Sequence, residues 1–170
     1  MIHPPWLIEI HRLARIGDAD SQYYIGKLLL EGSPDVKKDL YYAVMWLHKA
    51  AIQEHAEAQF LLAKCFAEGH GGLPGEKLRE DHTESVNWYR KAAKQGHNLA
   101  LLHLGECYAE GKGVQVDKVE AFAYLKLAGK KTAKARDRLK TLRMIMTPSE
   151  IKAGQTRLKD LSDERDDEQE

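Results

Sequence analysis

Cysteine is scarce in this chain: Cys65 and Cys107 are the only two among 170 residues. They stand at matching points of successive repeats, about a helix diameter apart, roughly 8–10 Å. A disulfide needs Cα atoms within about 7 Å, so both thiols read as small buried hydrophobes. An excess of one charge is missing too, since 26 basic residues balance 26 acidic ones. That argues against nucleic-acid binding, which rests on phosphate neutralisation. No apolar run approaches the ~18 residues of a membrane span. The opening residues MIHPPWLIEIHRLARIGDAD lack a basic leader followed by an uninterrupted apolar stretch, and a cytoplasmic location is expected. Also absent are H-E-x-x-H, paired Cys and His ligand spacings and a serine elbow. The GGLPGEK of residues 71–77 does not match the phosphate-binding pattern and follows a helix rather than a strand. No catalytic residue, cofactor or metal is therefore expected.

What is present is repetition. Residues 18–32 (DADSQYYIGKLLLEG), 55–69 (HAEAQFLLAKCFAEG) and 97–111 (HNLALLHLGECYAEG) align, at periods of 37 and 42 residues. A second segment follows each, opening at Asp39, Asp81 and Asp117. Its inward positions are Ala43, Trp46 and Ala50; Ser85, Trp88 and Ala92; Ala121, Tyr124 and Ala128. Helix pairs recurring at this period predict an all-α fold, an α/α superhelical solenoid of about three repeats with capping helices at both ends.

The expected boundaries are an N-terminal cap over 1–17 and repeats over 18–55, 56–97 and 98–131, the second carrying an inserted loop at 70–80. A closing helix pair follows over 132–161, then a disordered acidic tail over 162–170. Gly26, Ala63 and Gly105 are expected where the paired helices approach, and Gly32, Gly69 and Gly111 at helix ends. The aspartates that open each second helix suit N-caps. Thr147-Pro-Ser-Glu150 reads as a capping box, as do Asp81 with Glu84 and Asp117 with Glu120. His55 and His97 are read as closing the preceding helices.

These residues resemble the Sel-1-like repeat family, a branch of the tetratricopeptide-like solenoids. The resemblance rests on Leu104-Gly105 with Tyr108, on Gly111, Gly113 and Val114 before Asp117, and on Trp88 followed by Lys91-Ala92-Ala93 and Gly96. It covers about residues 17–161. The first repeat departs by lacking the glycine loop, the second by its insertion and the third by Tyr124 in place of tryptophan. The disulfide pattern of the family's cysteine-rich secreted branch is missing. The resemblance implies a scaffold that binds proteins.

In such a solenoid the first helices line the concave side. The stripe opposite the core holds Asp20, Tyr24, Lys27 and Glu31; Glu57, Leu61, Lys64 and Glu68; Leu99, His103, Glu106 and Glu110. Tyr24, Leu61 and His103 form an expected central row with a charged rim, the pattern of a protein- or peptide-binding surface. Asp20, Lys27, Glu57, Lys64, Leu99 and Glu106 flank it. The competing reading is self-association through end helices, Trp6 and Ile10 among them, or through the acidic tail on the basic helix at 132–146. A monomer or weak homodimer is expected. The weakest reading is a hydrolase or metal enzyme built on His103.

Overall fold

The computed structural model describes residues 4–70 and 80–167, the side chains of 165–167 excepted. The insertion expected at 70–80 thus lies outside the described residues except for its two ends. The described residues form α1 (Pro5–Arg15), α2 (Ala19–Glu31), α3 (Leu40–Ala51), α4 (Ala56–Ala67), α5 (His82–Lys94), α6 (Asn98–Glu110), α7 (Lys118–Ala128), α8 (Ala133–Arg143) and α9 (Pro148–Asp167). No strand occurs among them. The fold class is all-α, built of solenoid-type helix pairs. The chain divides into two compact units, residues 1–88 and 89–170.

Except for α1 and α8, the described helices start where a side chain takes up an orphan backbone N–H. Asp18 accepts from Ser21 N at 2.8 Å, Asp39 from Tyr42 N at 3.1 Å and Asp81 from Glu84 N at 2.9 Å. Asp117 accepts from Val119 N and Glu120 N. His55 and His97 do the same for α4 and α6: each Nδ1 accepts from the backbone N–H three residues on, at 3.2 Å. The two histidines therefore open the next helix instead of closing the previous one, because an imidazole with an unprotonated Nδ1 is an acceptor. Thr147 and Glu150 close a reciprocal capping box, with Thr147 N donating to Glu150 Oε2 at 2.7 Å. At Asp117 only half of the box forms, since Glu120 turns its carboxylate to Arg157.

In the first unit α2 packs on α1 and α3, and α3 on α4. A Cβ added to Gly26 would stand 2.8 Å from Leu47 Cγ. Gly105 bears the same relation to Leu125 in the second unit, at 2.7 Å. Glycine inside a helix costs about 1 kcal/mol relative to alanine. Here it admits a leucine against the helix backbone, and both leucines are fully buried. Buried amides then satisfy the ends of preceding helices. Gln22 donates to Ala14 O at 3.0 Å and Gln59, at the same repeat position, to Ala51 O at 3.1 Å. In the second unit Arg136 does this for Gly129 O at 2.9 Å.

At the ends of the array, α1 keeps an exposed aromatic and α9 outruns its expected bound. On α1 the buried residues are Leu7 and Ala14, while Trp6 is exposed and meets Tyr24 edge-on at 6.4 Å. The last helix runs to Asp167 instead of stopping near Leu161, and Arg157 Nη1 donates to Glu164 across two turns at 2.9 Å. The acidic segment is thus helical as far as it is described.

Candidate functional site

In the first unit the expected stripe lies on α2 and α4. Helical periodicity turns Ile25 into the core at 1% exposure and leaves Tyr24 42% exposed. Asp20 Oδ1 sits 3.3 Å from His55 Nε2. Because Nδ1 of that ring is the cap acceptor, Nε2 holds the proton and donates to Asp20. Tyr23 stacks on the same imidazole at 4.5 Å. Lys64 reaches Glu68 at 3.9 Å, Glu57 is exposed, and Leu61 and Lys27 are half-buried.

In the second unit the stripe lies on α6. Leu99 is 44% exposed while Leu102 is buried. His103 stacks on Tyr89 at 5.3 Å with an interplanar angle of 12°, and its Nδ1 is 3.3 Å from Glu106. Glu106 is 15% exposed and takes Arg138 Nε at 3.0 Å and Lys134 Nζ at 3.1 Å. Burial alone would raise its carboxyl. Hydrogen bonds from His103, Lys134 and Arg138 outweigh that and hold it at about 2. Arg138 also comes within 4.0 Å of Glu110.

Lys134 and Arg138 were not assigned to the stripe by the sequence reading. The signal was available: they lie two and six residues past Thr132, the offsets of Asp20 and Tyr24 from Asp18. Glu106 is consequently an internal counter-ion, and Lys134 and Arg138, each about half exposed, form the charged surface beside His103. Tyr24 and Leu61 belong to one unit and His103 to the other.

The chemistry of these groups is that of contact and hydrogen bonding. Burial pushes the Cys65 thiol up to about 12. Cys107 rises to about 11 through burial, with Glu106 adding to it. Neither is a thiolate near neutrality, so neither is a ready nucleophile. Among the described residues no group of three or more His, Cys, Asp or Glu is placed to hold a metal ion. No helix among them is long and apolar enough to cross a membrane.

The helix pairs match known proteins. The Sel1 repeat model matches residues 19–55, 56–97 and 98–132, in register with the caps Asp18, His55 and His97. A Sel1 repeat protein from Oxalobacter formigenes is similar at 29% identity and a TM-score of 0.67, over 79% of this chain and 97% of that one. A protective antigen of uropathogenic Escherichia coli strains, displaying an SLR fold, aligns with 94% of this chain at 22% identity and a TM-score of 0.66. This chain spans 41% of that antigen's length, and the likeness is one of fold. No curated protein matches. With three repeats matched in sequence and their caps in place, the chain belongs to the Sel1 repeat family, whose members serve in general as protein-interaction scaffolds.

Proposed function

We propose that this chain is a non-catalytic, cytoplasmic adaptor that holds a protein or peptide partner on its first-helix stripes. Those stripes are α2 and α4 in one unit, α6 and α8 in the other. One observation carries the reading: Tyr24 and Leu99 stay exposed while Ile25 and Leu102 of the same helices are buried. A large apolar group kept in water beside charged neighbours is how a binding surface is built. In the second unit a partner meets Lys134 and Arg138 over a neutralised Glu106. That favours neutral or acidic segments there.

The test compares capture of partners by wild type with two variants of unchanged helicity. Tyr24→Ser with Leu61→Ser probes the first unit, and His103→Ala the second. Loss of a partner by either variant assigns that partner to the stripe of the altered unit. Retention by both moves the site off the stripes.

Self-association is the second reading, favoured by Ile8 and Ile16, which α1 leaves exposed. Ile8→Glu should then lower the mass measured by light scattering. An unchanged mass removes that reading.

A further inference from the structure

The second unit contains a cavity of about 230 Å³ that none of the stripe residues lines. Its apolar part is Leu101, Leu127 and Leu161, all buried. Tyr108 and Tyr124 form one wall, their rings parallel to within 5° at 5.7 Å. Arg157, from α9, stands beside them between two carboxylates. Its Nε donates to Glu120 Oε1 at 2.7 Å and its Nη1 to Glu164 Oε1 at 2.9 Å. Arg90 and Lys94 also line the space, and Arg90 Nη2 donates to Tyr108 Oη at 2.9 Å.

The two carboxylates are not equivalent. Glu120 is 21% exposed and sits in the first turn of α7. Glu164 is 58% exposed and stands near the C-terminal end of α9. An exposed pair of the second kind is weak, a factor of about two to five in equilibrium. Glu164 is therefore a replaceable counter-ion. With it displaced, Arg157 keeps Glu120 through Nε and presents Nη1 beside an apolar floor.

We propose that this cavity is a carboxylate-binding site. An incoming carboxylate takes Arg157 Nη1 from Glu164, and the apolar group it carries settles on Leu101, Leu127 and Leu161. Size selects the ligand: a cavity of about 150 Å³ accommodates benzene. A space of about 230 Å³ therefore accepts one ring or branched aliphatic side chain with its acid group. Two sources share this chemistry, the C-terminal residue of a partner peptide and a free monocarboxylate. Because Glu164 already fills the anion position, the site is self-masked in the resting chain.

The experiment is a chemical-shift titration of the full chain with three probes. They are an N-acetylated tripeptide ending in leucine, the same peptide as its C-terminal amide, and hydrocinnamate. The acid peptide should shift resonances of Leu101, Leu127 and Arg157, and the amide should bind about tenfold or more weakly, the worth of one charge-assisted hydrogen bond. Glu164→Gln, on an exposed turn, should tighten acid binding about two- to fivefold, and Arg157→Gln should abolish it, with helicity checked by circular dichroism. Tighter binding of the peptide than of hydrocinnamate assigns a chain terminus, and the reverse a small acid. Equal affinity for acid and amide, no shift from any probe, or no tightening in Glu164→Gln overturns the proposal.

Discussion

Glu54 is the one described non-glycine residue with a positive φ, 64°. It stands just before the cap His55, where the other repeats place Gly17 and Gly96, also at positive φ. A side chain there crowds the following carbonyl, at a cost of about 1–2 kcal/mol. Glycine gives back part of the gain in unfolded-chain entropy. Glu54→Gly should therefore stabilise the protein by about 0.5–1 kcal/mol, read from urea midpoints. An unchanged or lower midpoint would show that the conformation carries no strain. Glu106 is the second residue whose setting has a measurable consequence. Its carboxyl ordinarily titrates near 4.5 and is held at about 2 in the fold. Because the folded value is the lower, its contribution is complete above about pH 4.5 and is lost as the pH falls to about 2. Glu106→Gln should flatten the acid limb of the stability curve in that window. An acid limb identical to that of wild type would place the Lys134 and Arg138 contacts outside the energetics of the fold.

At the scale of elements, the approach of α6 to α7 depends on the missing side chain of Gly105. A Cβ would lie 2.7 Å from Leu125 Cγ and 3.2 Å from the Leu125 backbone nitrogen, so the leucine and its helix would both have to move. Overpacking costs about 1–3 kcal/mol, against about 1 kcal/mol gained from helix propensity. Gly105→Ala should lower stability by up to about 2 kcal/mol, and adding Leu125→Ala should recover part of the overlap at the cost of a cavity. A stabilised Gly105→Ala would overturn the close-approach account. These contacts were legible before the structure: the small residue recurs at positions 26, 63 and 105 in register with the caps. The caps were less so. Sequence reasoning placed His55 and His97 at helix C-termini, where a protonated imidazole would suit the dipole. Which nitrogen holds the proton is set by the backbone that the ring meets, and that is not written in residue type.

For the whole molecule, equal numbers of acidic and basic residues put the isoelectric point near 7.1. The charges are unevenly distributed along the chain. Residues 130–143 are strongly basic and residues 160–170 strongly acidic. Near neutral pH the net repulsion between copies vanishes while local attraction between opposite segments persists. Light scattering across pH should therefore show the greatest association close to pH 7, relieved by salt because exposed charges are screened within about 10 Å at 0.1 M. Association that is flat across pH and salt would mean that these segments do not meet between copies.

The sequence by itself determined the repeat, its period, the aspartate caps and the small residues at helix crossings. All of these follow from local chemistry and helical periodicity, which a single chain displays in order. Only the tertiary structure decided which charges find each other. Glu106 and Arg138 are 32 residues apart, and Arg157 reaches Glu120 from 37 residues away. Such pairs depend on how helices pack, and a long side chain that is solvated in the sequence reading is spent on an internal partner once a neighbouring helix arrives. The same packing sets Glu164 over the cavity of the second unit, an arrangement that no periodicity announces.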